Sequence, residues 1–177
     1  MKEILTFILE NDELLLLRRK PSDLRRYIAW TRGIKAQYGS VTEYITQNRL
    51  PADWGRPPFT ATAAVPFASP SDYVVLINDW PYGLDPGIIH LVVWSRAQIL
   101  VDLKTGRMTP ESQGLVQDFV QNSFVSSLGP GQEDKVTWFK NPVSLQSVRA
   151  LEHIHVLVRG VDDDTIERWT GRRPPRV

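Results

Sequence analysis

Three histidines are the side chains of this chain best suited to proton transfer, and all lie in two short apolar segments. His90 begins the segment HLVVW (90–94), and His153 and His155 lie in EHIHVLV (152–158). The chain contains no other histidine. Imidazole exchanges protons near neutral pH more readily than other side chains. The pattern therefore indicates a functional site rather than scattered surface residues.

The histidines are open to three interpretations. Oriented by a carboxylate such as Asp79 or Glu152, they would act as general acid, general base or nucleophile. Together they would alternatively bind zinc or another divalent metal, since His-x-His with a distant third histidine is a workable ligand spacing. They would otherwise be structural, with their N–H groups tied to backbone carbonyls. The first interpretation needs no metal or other cofactor.

Candidate substrate contacts are polar or aromatic residues at predicted strand ends: Asn78, Trp80, Tyr82, Lys140 and Asn141. The aromatic pair around Pro81 would form a wall for a planar or apolar group. The Lys140 amine and the Asn141 amide would contact a phosphate or carbonyl. The alternative for Trp80 and Tyr82 is a rigid turn packed on the core, and the alternative for Lys140 and Asn141 is an ordinary strand terminus.

Positive charge is concentrated in one segment. The net charge is +1, but residues 18–56 carry nine Lys and Arg against three Asp and Glu. A basic sector attracts phosphate, so it is a candidate tRNA-binding surface. The alternative is a solvated helical face. The candidate nucleic-acid contacts within it are Arg18, Arg19, Lys20, Arg25, Arg26 and Arg32.

Composition excludes several classes of protein. The chain has no cysteine, so it has no disulfide, thiolate metal site or cysteine nucleophile. No apolar run approaches the ~18 residues of a membrane span, and the N-terminus lacks a secretory signal. We expect a globular, cytoplasmic protein with a small-molecule or amino-acid substrate and no membrane association.

The predicted elements form one domain over 1–177. A helical N-terminal part covers 1–50, with helices over 3–19, 24–37 (capped by Ser22 or Asp23) and from Ser40 to about 49. A Pro-rich ordered loop covers 51–72. A sheet core covers 73–160, with strands over 73–77, 88–95, 136–140 and 153–159 and a helix over 110–127. A short helix and a basic tail cover 161–177. Grouped strands and segregated helices predict an α+β fold with a mostly antiparallel sheet and helices on one side.

This arrangement would assemble the site. Residues two apart in a strand share a face, so His153 and His155 project together. The strands over 73–77 and 88–95 are predicted to form a hairpin. If the second of these lies beside 153–159, all three imidazoles meet at one place.

Several motifs resemble a fungal family of unknown function named for an N-acetylglucosamine-induced protein. They are YGS (38–40), NDWPYG (78–83), HLVVW (90–94), WFKN (138–141) and EHIHVLV (152–158). They occur in the same order over about 38–158. The family name records induction and not a reaction.

Arginine-containing cyclodipeptide synthases of fungi are identified as relatives of that family. Such enzymes join aminoacyl groups taken from charged tRNA. The resemblance implies that the basic sector binds tRNA, that Asp79 or Glu152 pairs with an arginine guanidinium, and that a histidine takes the proton of the attacking amine. Peptide-bond formation from aminoacyl-tRNA is therefore the function that we expect first.

A second resemblance is to histidine-triad nucleotide hydrolases and transferases. EHIHVLV is similar to their His-x-His strand, and the preceding segment to their hairpin. The resemblance implies that His155 attacks phosphorus. The third histidine of that family falls at Leu157 here, and this departure weighs against phosphoramidase activity. A third possibility is a non-catalytic small-molecule binding module.

Overall fold

The computed structural model describes residues 19–174 and has a four-stranded antiparallel sheet at its centre. The strands are β1 (Tyr73–Ile77), β2 (Ile88–Ser95), β3 (Val136–Phe139) and β4 (Glu152–Arg159). Their order is β1-β2-β4-β3, and every neighbouring pair is antiparallel. The predicted α+β class and the hairpin of the first two strands are confirmed.

The two central strands are buried on both faces, which is typical of strands covered on both sides. Leu91 and Val93 of β2 and Ile154 and Val156 of β4 are fully buried on one face. Val92 of β2 is buried on the opposite face. β-Branched side chains favour the extended backbone, and here they also supply the core.

Four helices surround the sheet. They are α1 (Pro21–Tyr38), α2 (Val41–Asn48), α3 (Pro110–Val120) and α4 (Asp163–Thr170). The third continues through a π-helical segment, Gln121–Val125, and a last turn, Ser126–Leu128. The predicted helix over 3–19 lies outside the described residues, apart from its last residue.

Three helices begin as their sequences predict. Ser40 Oγ accepts a hydrogen bond from Glu43 N at 3.0 Å, which opens α2. Thr109 caps α3, whose first residue is proline, and Asp162 caps α4. Each cap satisfies an N–H group that the first turn leaves free.

The start of α1 differs from the prediction. The helix begins at Pro21, after Lys20, and no side chain caps it. Ser22 and Asp23, which were expected to precede the helix, lie inside its first turn. Proline suits the first helical position because its φ is already helical and its missing N–H would have no partner there.

The helices cover both faces of the sheet, whereas the sequence placed them on one side. Residues of α3 and α4 pack with Leu91, Val93 and Ile154 in one core cluster. Ile45 of α2 packs with Val92 in a second cluster. Successive strand residues point to opposite faces, so these clusters lie on opposite sides. The second side of the sheet carries the histidines.

α1 lies at the periphery of the described chain. Of its eighteen residues, only Ile34 is buried. Its other tertiary contacts come from aromatic rings: Tyr27 and Trp30 contact Trp80 at 5.5 and 5.4 Å between ring centroids. A few aromatic contacts, and not an extensive buried face of the helix, therefore hold α1 in place. None of the helices in residues 19–174 is long and apolar enough to cross a membrane.

The Pro-rich loop is anchored by one buried carboxylate. Asp72 is fully buried and accepts hydrogen bonds from Thr62 N, Thr62 Oγ1 and Ala63 N at 2.8–2.9 Å. Arg96 Nε lies 3.6 Å from Asp72 Oδ1. The carboxylate therefore ties the loop to the start of β1.

Replacing Asp72 with asparagine is expected to lower the free energy of unfolding by about 2–3 kcal/mol, because an amide NH₂ would face donors that require an acceptor. Urea unfolding measures the loss. Asp23→Asn is the matched control, since Asp23 is 40% exposed and makes only a 3.6 Å ion pair with Arg26. Equal midpoints for the two variants would contradict the anchoring role.

Candidate functional site

The three histidines project from the same face of the sheet. β2 and β4 pair so that Val92 faces His155 and Trp94 faces His153. His90 is two residues before Val92, so alternation puts its side chain on that face as well. The structure therefore brings together the imidazoles of two segments that lie about sixty residues apart in the chain.

His90 and His155 are directly hydrogen-bonded, with 2.9 Å between His90 Nε2 and His155 Nδ1. Asn141 Nδ2 donates to His155 Nε2 at 3.2 Å and to Tyr82 Oη at 3.1 Å. Since Nε2 of His155 accepts, a neutral ring carries its proton on Nδ1 and donates it to His90. Asn78 Nδ2 lies 3.3 Å from both ring nitrogens of His90. A hydrogen-bonded chain therefore runs from His90 through His155 and Asn141 to Tyr82.

Burial keeps all three imidazoles neutral. It lowers the pKa of His90 from 6.5 to about 3, with the positive charge of Arg19 adding to the effect. Burial lowers the pKa of His153 to about 4, although its hydrogen bond to a backbone carbonyl acts in the opposite direction. Burial also holds the pKa of His155 well below 6.5, and His90 and His153 lower it further. Each ring therefore offers one donor and one lone pair at neutral pH.

His153 has a fixed tautomer. Its Nδ1 lies 2.8 Å from Leu151 O, so Nδ1 carries the proton and donates it. Its ring packs on Trp94 with 4.7 Å between centroids. The lone pair is therefore on Nε2. His153 lines the pocket described next, and this nitrogen has no hydrogen-bond partner among residues 19–174.

A cavity of about 110 Å³ lies between the sheet, α1, α2 and the loop that follows β1. His153 and His155 both line it, whereas His90 does not. His90 is instead covered by Tyr82, whose ring stacks on it at 5.3 Å. The other polar side chains of the cavity are Arg19, Arg49, Asn78, Asp79, Tyr82, Asn141 and Ser147.

The start of the β1–β2 loop is held in a defined shape. Asn78 Oδ1 accepts a hydrogen bond from Trp80 N at 2.9 Å. Asp79 is half-exposed, and its Oδ1 lies 3.2 Å from Arg49 of α2's C-terminus. Partial burial raises the pKa of Asp79, and the arginine opposes that shift. The predicted residues Asn78, Asp79, Trp80 and Tyr82 all line the cavity.

An aromatic wall of the cavity was missed from the sequence. Tyr27 and Trp30 of α1 meet Trp80, and Trp30 also contacts Tyr44 of α2 at 5.4 Å between ring centroids. The available signal was the spacing of Tyr27, Trp30 and Ile34, which places all three on one side of a helix.

Glu152 and Lys140 do not reach the cavity, which corrects their assignment to the catalytic and substrate-binding groups. Glu152 lies on the same face of β4 as Ile154, opposite to the histidines. Lys140 Nζ, whose side chain is 3% exposed, lies 3.3 Å from Glu152 Oε2. Each is therefore the ionic partner of the other. Asn141, the neighbour of Lys140, does line the cavity.

The structure separates the basic residues at the start of the described chain into an exposed group and one arginine that faces the cavity. Lys20, Arg25, Arg26 and Arg32 are exposed on or beside α1. Arg19 instead turns towards the cavity, where its Nε donates to Trp80 O at 3.3 Å. Arg18 lies outside the described residues. A basic helix face thus adjoins the cavity that the same helix partly covers.

The histidines do not have the geometry of a zinc site. Two nitrogens bound to one zinc lie about 3.3 Å apart, each at about 2.0–2.1 Å from the ion. His90 and His155 face each other at 2.9 Å as donor and acceptor. Within residues 19–174, no group of three or more His, Asp or Glu could hold a metal ion.

Comparison with known proteins gives one family and several relatives. The family described as "Protein of unknown function (DUF3605)" matches residues 2–159. N-acetylglucosamine-induced protein 1 of Candida albicans is 35% identical over 103 residues, which are 57% of this chain and 40% of that protein. The chain thus matches less than half of the length of the Candida relative.

Two further comparisons cover more of the chain. "Uncharacterized protein YPL067C" of Saccharomyces cerevisiae is 29% identical over 153 residues, which are 85% of this chain and 74% of that protein. The crystal structure of HTC1 has a TM-score of 0.72 and 25% identity, covering 99% of this chain and 98% of that one. None of these descriptions states a reaction.

Proposed function

Because the chain belongs to the family described as "Protein of unknown function (DUF3605)", which names no reaction, we propose a function from its cavity: transfer of an aminoacyl group from charged tRNA to form a peptide bond. The predicted resemblance to the fungal N-acetylglucosamine-induced family is confirmed by the Candida relative. The relation to arginine-containing cyclodipeptide synthases is part of the proposal.

The observation that carries the proposal is the state of His153. It is a neutral imidazole with its proton fixed on Nδ1 by Leu151 O and its lone pair on Nε2. A positioned neutral imidazole in a cavity is suited to act as a general base. Aminoacyl transfer needs such a base, because the attacking amine must lose a proton as the bond forms.

The reaction balances with these groups. The α-amine of one aminoacyl group attacks the ester carbonyl of the other, and a C–N bond forms. His153 Nε2 accepts the amine proton. The ester C–O bond breaks, and the same proton passes to the departing ribose oxygen of tRNA. The free α-amine of the dipeptide then attacks the ester carbonyl that still joins the dipeptide to the second tRNA; a second C–N bond forms, that ester C–O bond breaks, and the second tRNA leaves with the proton as the six-membered ring closes.

Asp79 and the aromatic wall would select an arginine side chain. Asp79 is half-exposed in the cavity, and its ionic contact with Arg49 involves Oδ1. A guanidinium pairs with a carboxylate through two hydrogen bonds and stacks on aromatic rings. Trp80 lies next to Asp79 and supplies such a ring.

The exposed basic face of α1 would bind the tRNA backbone. Arg25, Arg26 and Arg32 are exposed on the helix whose inner residues, Tyr27 and Trp30, line the cavity. Phosphate contacts of this kind are independent of sequence and weaken as salt concentration rises. The RNA would thus be held where its aminoacyl end can enter the cavity.

The proposal is tested by incubating the purified protein with arginyl-tRNA and a panel of other charged tRNAs and analysing the products by mass spectrometry. We expect an arginine-containing cyclic dipeptide. The exposed-charge variant Arg25→Glu with Arg26→Glu should give less product at a given tRNA concentration, with the difference largest at low salt. Absence of any dipeptide across the panel would refute the proposal.

The histidine-triad alternative fits the geometry less well. Both ring nitrogens of His155, the expected nucleophile, already have hydrogen-bond partners, His90 and Asn141. Attack on phosphorus would require one of these bonds to break. Leu157, at the position of the third histidine, is buried against Phe139. A non-catalytic binding module is the remaining alternative, and unchanged function in alanine variants of the histidines would favour it.

A further inference from the structure

Arg19 is a charged cavity residue to which the proposed reaction gives no role. Its Nε donates to Trp80 O at 3.3 Å. Its Cζ lies 4.1 Å from the ring centroid of Tyr27 and 5.7 Å from that of Tyr82. The guanidinium is therefore held between the loop after β1 and helix α1. Such stacking orients the group without neutralising it.

No carboxylate in residues 19–174 forms an ion pair with Arg19, in contrast to the second arginine of the cavity. Arg49 lies 3.2 Å from Asp79 and also donates to Ile77 O at 3.3 Å. The cavity therefore contains two guanidinium groups and one carboxylate. Because its imidazoles are neutral, the cavity lining within residues 19–174 carries one more positive charge than negative, and Arg19 is the guanidinium that is not paired with Asp79.

The charge of Arg19 is close to the histidine pair. It contributes to the lowered pKa of both His90 and His155, after the larger effect of burial. A half-buried guanidinium with its terminal nitrogens available binds two-oxygen anions through paired hydrogen bonds. The aromatic wall of Tyr27, Trp30 and Trp80 adjoins this position and would hold a planar group.

We propose that Arg19 binds an anionic phosphate or carboxylate group of the ligand, with a planar part of the ligand against the aromatic wall. The inference deepens the proposed function and rests on it in one respect only: if charged tRNA is the substrate, the anion is a phosphate near its aminoacyl end. The anion site itself follows from the position and charge of Arg19.

The site is tested with three small probes that share an aromatic ring: phenyl phosphate, benzoate and the neutral benzyl alcohol. Binding is followed by quenching of tryptophan fluorescence at constant ionic strength, since Trp30 and Trp80 line the cavity. We expect at least one anionic probe to bind about tenfold or more tightly than the alcohol. The tighter anion identifies phosphate or carboxylate as the group recognised.

Arg19→Met should remove this preference by lowering anion affinity about tenfold, while Lys104→Met, an exposed change outside the basic sector and the cavity, should leave it unaltered. Far-UV circular dichroism establishes that both variants are folded. Equal binding of anion and alcohol, or an unchanged anion affinity in Arg19→Met, would overturn the inference. Failure of the tRNA reaction with intact anion binding would refute the proposed function alone.

Discussion

Acidification from pH 7 to pH 5 is expected to reduce the free energy of unfolding by about 4 kcal/mol through His90 and His153. Burial lowers their folded-state pKa values from 6.5 to about 3 and about 4. The unfolded chain therefore takes up protons on these rings below pH 6.5, whereas the folded protein does not. The stability they contribute is fully present above pH 6.5 and is lost as the pH falls towards the folded values.

The slope of this loss is small near pH 7 and approaches about 1.4 kcal/mol per pH unit for each histidine below about pH 5.5, so two together approach about 3 there. Urea unfolding between pH 7.5 and pH 5 measures it. The matched variant His90→Asn with His153→Asn removes both titrating groups. Its total loss between pH 7 and pH 5 should be smaller by about 4 kcal/mol, whatever its absolute stability. Parallel curves for the variant and the parent protein would show that these rings are not buried neutral.

Replacement of His153 with asparagine is expected to lower kcat/KM for dipeptide formation by about 10²–10⁴-fold, the usual contribution of a general base. The asparagine amide can still donate to Leu151 O, in place of the Nδ1–H bond of 2.8 Å. It has no counterpart of the Nε2 lone pair. The fold should therefore persist while proton removal from the attacking amine fails.

Initial rates at charged-tRNA concentrations well below KM measure this change, and a thermal melt checks the fold. Gln113→Ala is the control, because Gln113 is exposed on α3, on the other side of the sheet. Because the His153 imidazole is already neutral between about pH 6 and pH 9, the dependence of the rate on pH in this range should reflect the attacking α-amine, whose usual pKa is about 7.7–8.0. A His153→Asn variant with parental kcat/KM would remove this histidine from the reaction.

Alternation along the strands predicted only part of the convergence of the histidines. β-Branched residues indicated β2 and β4, and period-two geometry placed His153 and His155 on one face. Their meeting with His90 required β2 to lie beside β4, which the sequence left open and the structure supplies. The same alternation places the Glu152 side chain on the other face of β4. Glu152 was assigned to the site because it is adjacent to His153 in the sequence.

The aromatic wall could not be predicted from local patterns. The approach of Tyr27 and Trp30 to Trp80 depends on where α1 rests on the loop after β1. Helical spacing shows that the two rings share a side, but not which surface they meet. The position of Arg19 could not be predicted from local patterns either. In a basic segment, an arginine is expected to be exposed to solvent. Its hydrogen bond to Trp80 O, which directs it towards the cavity, is visible only in the structure.

The shallow attachment of α1, with Ile34 as its one buried residue, links ligand affinity to local opening. A segment with so few buried groups detaches at a small fraction of the global unfolding free energy, so its amide protons exchange with solvent before those of β2 and β4. Only the docked population presents Tyr27 and Trp30 to a ligand. The observed dissociation constant is therefore the intrinsic constant divided by the docked fraction of α1. A mutation on the outer surface of the helix can change that fraction, and with it the observed affinity, without contacting the ligand.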